Sequence, residues 1–270
     1  MAHDTSTSFH HVAKQLGKTN EKFVIFYFLW VGGICGCVWN GIMNSFDFFA
    51  NKFPNDKVTF IFPIPITVAQ LIVTIVITHL SKVVSYSMRI FFTLTAMVIF
   101  AFVIPFEAEV FATDEQWSFG MYVIILLVLL LGLVNNACFA SVLAFASQIH
   151  GKYSAIALIG IGIFGLSLNF MKEAVILLFH GHDKGELFPV LFYFALVASL
   201  AVVGLILHTI FIKTEFYNNI IEESNAASSI VRQDKESLLN PSEIADKPEK
   251  SSRHYLKSLI NPDSIWFLFL

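Results

Sequence analysis

The chain has 270 residues, 56% of them hydrophobic, with a formal net charge of −3 and a mean hydropathy of +0.70. That balance is too apolar for the surface of a water-soluble globule of this size, and no basic face for nucleic acid is visible in it. Charged residues avoid six long apolar runs and gather at the N-terminus, in short breaks and in residues 213–263.

The runs cover residues 23–45, 58–80, 89–106, 119–146, 153–179 and 188–212. About 20 apolar residues at 1.5 Å per residue cross a hydrocarbon core of roughly 30 Å, so each run is expected to be a membrane-spanning helix. The expected fold class is an all-α polytopic membrane protein, with sequential helices as antiparallel neighbours in a six-helix bundle, 23–213. Residues 1–22 are polar, carry Lys14, Lys18 and Lys22, and lead into a run with no small-residue cleavage pattern, so the first span is expected to be retained. Cys35, Cys37 and Cys138 all lie inside apolar runs and read as packing residues, not as a disulfide framework.

Orientation follows from Lys and Arg. With the N-terminus cytosolic, that side collects Lys14, Lys18, Lys22, Lys82, Arg89, Lys152 and the basic residues from Lys213 to Lys257, against Lys52, Lys57 and Lys184 on the other. The positive-inside rule favours a cytosolic N-terminus. Residues 214–263, rich in Ser, Asn, Glu and Lys with Pro241, Pro248 and Pro262, are expected to form a flexible cytosolic loop. Residues 264–270, with IWFLFL, read as the start of a seventh helix. Six helices, a long loop and another helix is the layout of transporters built from two helical halves, and the expectation is that this chain holds the first.

Several polar residues fall inside the spans. In the first, Gly33, Gly36, Asn40, Asn44 and Asp47 follow at spacings of three and four, which puts them on one face turned toward protein or a water-filled path. Trp39 lies well below the outer end of that helix if it continues through Phe49, which argues against an interfacial aromatic belt. In the fourth span Asn136, Ala140, Ala144 and Ser147 make one stripe, and Ala137, Ser141, Ala144 and Gln148 an overlapping one. Close helix packing accounts for both, with Asn135 or Asn136 expected to bond across to a neighbour.

The fifth span contains GIGIFG, residues 160–165. It matches a dinucleotide fingerprint letter for letter, but lies within one apolar helix instead of between a strand and a helix, so a nucleotide site is excluded. The pattern of interest is Ala155, Gly162, Gly165, Asn169 and Lys172, small at one end and polar at the other. Lys172 is the one basic residue deep in a span. It reads either as a functional intramembrane charge or as a lysine snorkelling to the outer boundary. Glu173 is rotated about 100° away and is no automatic partner. His180 and His182 read as a solvated loop and not a metal site, and His208 as either a pH-sensitive group or, in preference, a helix-end polar anchor. No nucleophile with base, phosphate loop or metal box stands out, so neither an enzyme nor a cofactor is expected.

Further features join these into a pattern. Gly32, Gly33 and Gly36 run into Trp39 and Asn40; Asn135 and Ser141 are followed by KYSAIALIGIGIFG, residues 152–165; Lys172 comes next, and TEFYNNI, residues 214–220, follows the sixth span. In that order the segments resemble the equilibrative nucleoside transporter family. Trp39 and Asn40 stand at its Trp-Asn pair, Gly160 to Gly165 at its G-Q-G-x-x-G element, and Lys172 where many non-animal members carry a basic residue. Phe139 and Ile161 occupy positions where members often have Gln. Loss of those amides either shifts substrate preference or marks positions that are not contacts here.

The resemblance implies an eleven-helix fold similar to the major facilitator architecture, moving nucleosides or nucleobases by alternating access. It implies a substrate site drawn from Trp39, Asn40, Met43, Asn136, Ser141 and Lys172, a bilayer with the plasma membrane preferred over an internal one, and a C-terminal half as partner. The competing reading is a non-transporting six-helix membrane protein that acts as an interaction or regulatory partner. For topology, cysteine scanning in intact cells is expected to label 108–118 and 180–187 from outside and leave 225–250 unlabelled; external labelling of 225–250 would invert the bundle.

Overall fold

A computed structural model describes residues 18–80, 84–113, 115, 117–179 and 187–222, with the backbone alone at 77–80. The chain divides after Ile220 into two compact units. The helical bundle is the first, and the second enters the described residues only at Ile221 and Glu222. In chain order the bundle holds α1 (Glu21–Ile34), α2 (Cys37–Asn44), α3 (Phe46–Lys52), α4 (Val58–Ile61), α5 (Pro63–Leu80), α6 (Tyr86–Val110), α7 (Phe119–Ile149), α8 (Gly151–Phe179) and α9 (Leu187–Phe211). A further helix, α10, spans residues 215–222.

Side chains start these helices where the sequence supplies an acceptor. Asn20 accepts from the Lys22 amide ahead of α1, Ser85 from the Met88 amide ahead of α6, and Ser118 from the Met121 amide ahead of α7. Each satisfies one of the donors that a helix start leaves open. Between α7 and α8 there is one extended residue, His150, whose ring accepts from the Lys152 amide at 3.2 Å. So short a turn makes α7 and α8 antiparallel neighbours.

Val58–Val76, α6, α7, α8 and α9 are each long and apolar enough to cross a membrane, and α1 with α2 makes a sixth crossing if that pair, bent by 42°, is one span. The outward surface agrees, with Leu71, Ile75, Phe92, Phe170 and Leu177 all more than half exposed, an arrangement that suits hydrocarbon and not water. α1 packs on α8 and α9, α9 on α6, α6 on α7 and α7 on α8, closing a ring; α5 lies outside it against α7.

The closest approach in the ring is between α1 and α8, and glycine makes it. A β-carbon added at Gly32 would stand 2.5 Å from the Ala157 carbonyl oxygen; one at Gly160 would run into the Leu29 carbonyl, and one at Gly33 into the Phe164 ring. Helices in lipid gain little from apolar burial and associate through such contacts. The packing glycine of the GIGIFG run is therefore Gly160. Gly162 has nothing within 4 Å of an added β-carbon and lies on the exposed side of α8.

The end of the ring that carries the N-terminus is filled with aromatic rings. Tyr27 stacks on Phe211 at 3.8 Å, with Phe28, Phe145, Tyr153 and Phe216 around them. His208, 1% exposed, bonds the Tyr27 hydroxyl through Nδ1 at 2.8 Å and Ser87 through Nε2. One imidazole thus joins α1, α6 and α9. Residues 215–222 depart from the expected flexible loop: they are helical, with Phe216 and Ile220 buried and Glu215 beside Lys18. Apolar side chains spaced four apart give this short segment a face to bury. The rest of the expected loop, the IWFLFL run, His180 and His182 lie outside the described residues.

At the opposite end Lys52 pairs with Glu109 at 2.7 Å, and the Asp56 carboxylate accepts from the Trp117 amide at 3.1 Å, holding Trp117 at φ 54°. Gly160→Ala is expected to cost about 1–3 kcal/mol of stability through this tight seam, whereas Gly162→Ala should be neutral or stabilise by up to about 1 kcal/mol. Equilibrium unfolding in mixed micelles compares the two.

Candidate functional site

The first span is not one helix. α1 ends at Ile34, Cys35 and Gly36 form a turn, and α2 begins at Cys37. The Cys35 amide reaches only the Gly32 carbonyl, three residues back, at 3.2 Å. In an unbroken helix the carbonyls of Val31 and Gly33 would accept from the amides of Cys35 and Cys37. Here the two thiols donate to them, at 3.2 and 3.3 Å. All three cysteines are free and buried, with the Cys35 and Cys138 sulfurs 3.5 Å apart, so the packing role expected of them stands. For Cys35 and Cys37 it includes giving buried carbonyls at the break a donor, since open acceptors are costly within a membrane.

Across that bend the expected polar face of the first span still turns to its neighbours. The Asn40 amide nitrogen would lie 3.7 Å from a β-carbon at Gly165, Asp47 on α3 stands 3.6 Å from Lys172 on α8, and Asn44 donates to the Tyr193 hydroxyl on α9 at 3.1 Å. Tyr193 itself is buried and donates to the Leu168 carbonyl. Asn169, one turn from Gly165, is exposed and bonds its own helix at the Gly165 carbonyl. The result is a polar strip along α2, α3 and α8, with Asn40 and Lys172 half-buried and Asp47 and Asn169 open. The Lys172–Asp47 contact is loose, with the Asp47 side chain 93% exposed, and such a pair is worth at most about 1 kcal/mol.

The residues expected to bind substrate separate into two groups. Asn40 on α2 and Lys172 on α8 belong to this strip, and Trp39 and Met43 are near Asn40 in sequence on α2. Trp39 is half-buried against Phe46, with ring centres 6.4 Å apart, and Met43 is 45% exposed. Asn136 and Ser141 belong to α7, where both side chains bond back to their own helix, to the carbonyls of Gly132 at 2.8 Å and Ala137 at 2.6 Å. Ser141 is fully buried, and the two residues lie about 140° apart around α7, so one face cannot present both. Among the described residues the expected bond from Asn135 or Asn136 to a neighbouring helix is not made. Asn136 turns to Gly132, and the Asn135 carbonyl oxygen is buried without a partner.

Two members of the strip were not singled out from sequence in these roles. Asp47 as counter-charge to Lys172 was legible in its spacing of seven from Asn40, which itself faces α8. Tyr193 was legible as a hydroxyl inside an apolar span, which needs a partner. Chemically the strip offers amide donors and acceptors, one cation and one carboxylate, next to an indole. Among the described residues no cluster of three His, Cys, Asp or Glu converges.

Fold and strip together define a class, that of helical multi-pass membrane proteins with five to six apolar crossings. Beyond the class, no family model, curated protein or solved structure matches the chain. If the strip is hydrated, single cysteines at Asn40, Gly165 and Asn169 should react with a hydrophilic maleimide about tenfold faster than one at Phe170, because a thiol must ionise to react. Equal, slow rates at all four would mean a lipid-covered face.

Proposed function

We propose that this bundle is one wall of a transport path for nucleosides or nucleobases, working by alternating access against a second helical half. The observation that carries the reading is the strip itself. Polar groups turned to hydrocarbon are costly, yet Asn40, Asn169, Lys172 and Asp47 lie along one side of the bundle, with Asp47 and Asn169 exposed. A second half opposite would convert that strip into a lined path near the middle of the bilayer.

The broken first span supports the same reading, because non-helical backbone within a membrane is tolerated where it is buried in protein or lines a cavity. The order of Trp39-Asn40, the GIGIFG run, Lys172 and TEFYNNI, which resembles the nucleoside transporter pattern, supplies the substrate class. In this reading Trp39 offers a rigid face on which any base stacks, Asn40 hydrogen-bonds the base edge, and Lys172 with Asp47 sets the field along the path. Met43, exposed one turn beyond Trp39, adds a soft apolar contact. Asn136 and Ser141, turned into their own helix, act through α7 packing instead.

The test is uptake of radiolabelled nucleosides by cells that express this chain together with a second helical half. Trp39→Ala and Asn40→Ala are each expected to lower uptake about tenfold, in line with base stacking worth roughly 1–3 kcal/mol, at unchanged surface expression. Unaltered kinetics in both variants would return these residues to packing and leave the transport reading without its site.

A further inference from the structure

Gln70 carries a carboxamide on the outward side of α5. It stands in the span Val58–Val76, six residues from the nearer end, which is about 9 Å of helix and more than the side chain can reach. The Thr67 and Thr74 hydroxyls donate back to their own helix, at the Pro63 and Gln70 carbonyls. The Gln70 side chain is exposed and bonds nothing among the described residues. Hydrocarbon offers an amide neither donor nor acceptor, and each group left open there is costly.

The residues around it form a regular seam. α5 lies outside the ring and meets α7 through Ile66 and Ala69, against Gly132. Helix geometry turns Thr67, Leu71 and Thr74 roughly 140–160° away from Ala69, and all three are exposed, as is Ile64. Ile64 and Leu71 are seven residues apart, as are Thr67 and Thr74, a repeat that keeps each pair on one line when two helices supercoil. Thr is among the small residues that let helices approach closely in a membrane. One stands a turn before Gln70 and the other a turn after.

We propose that the face of α5 carrying Thr67, Gln70 and Thr74 is a docking surface for a second copy of this chain. Copies inserted in one membrane share one orientation, so a two-fold axis along the membrane normal brings their α5 helices together in parallel. A residue at the crossing then meets its own counterpart. A lysine or a carboxylate there repels itself, but a carboxamide carries both donors and an acceptor and bonds its twin. That self-complementarity selects a second copy over an unrelated helix, which need not present a matching group at this depth. The surface lies on α5 and not on the α2, α3 and α8 of the polar strip, and it does not depend on the transport reading.

The chain is purified, labelled with a fluorophore at one terminus and placed in liposomes over a range of protein-to-lipid ratios, and its copies are counted by single-molecule photobleaching. Wild type should pass from one copy to two as density rises. Gln70→Leu should need about tenfold higher density, the scale of one hydrogen bond between helices in lipid, and Gln70→Asn should recover part of the loss. Oxidative cross-linking maps the contact. Leu71→Cys should give disulfide-linked dimers well above the background from the native cysteines, while Phe92→Cys, similarly exposed on α6, should not. A wild type that stays monomeric at every density leaves this face to another partner and overturns the proposal, as do equal midpoints for wild type and Gln70→Leu or equal cross-linking at the two introduced cysteines.

Discussion

The structure depends on two helices meeting at their backbones. Gly32 and Gly33 on α1 and Gly160 on α8 leave no room for a β-carbon between the chains, and Phe164 lies over Gly33 where a larger residue would hold the helices apart. In a bilayer, where lipid solvates Leu and Phe as well as a protein core does, this contact decides which helix α1 takes as neighbour. Everything on the polar strip follows from that choice. With α1 fixed on α8, the chain continuing into α2 and α3 brings Asn40 to Gly165 and Asp47 to Lys172.

The bend at Cys35–Gly36 would be expensive in hydrocarbon if it left acceptors open. Two thiols at i+4 from Val31 and Gly33 take the places of the missing amides, weak donors but correctly placed ones. The contact between the Cys35 and Cys138 sulfurs also fastens the break to α7. The bend is thus held by one backbone bond, from the Cys35 amide to the Gly32 carbonyl, together with side-chain donors.

The two ends and the two sides of the ring differ in a consistent way. At the N-terminal end, Tyr27, Phe28, Phe145, Tyr153, Phe211 and Phe216 fill the space between helices, and His208 ties three of them together. Aromatic stacks with a satisfied imidazole make a dense closure. Along α8, by contrast, Gly162 and Asn169 are exposed and meet no neighbouring helix among the described residues. The described bundle is thus filled with aromatic rings at one end and carries polar groups along one side.

The amino-acid sequence by itself determined that the long apolar runs are helical and, for the last two, nearly where they begin and end, because about 20 consecutive apolar residues have few ways to exist other than as a membrane-crossing helix. The run 153–179 became Gly151–Phe179 and the run 188–212 became Leu187–Phe211. It also determined that Gly33, Asn40 and Asp47 would face one way and that the cysteines would pack, since spacing and composition are local properties. Which glycine of GIGIFG would carry the helix contact was a tertiary matter. Gly160 and Gly162 are alike in sequence, and only the position of α1 makes one a seam and leaves the other open. The same holds for Asn136 and Ser141, whose side chains turned to carbonyls of their own helix once no neighbour offered a better acceptor. The break after Ile34 lies beyond local reading for a related reason. A glycine pair and two thiols permit a bend there, but a helix bends only where its packing against α7, α8 and α9 makes the bent form lower in energy than the straight one.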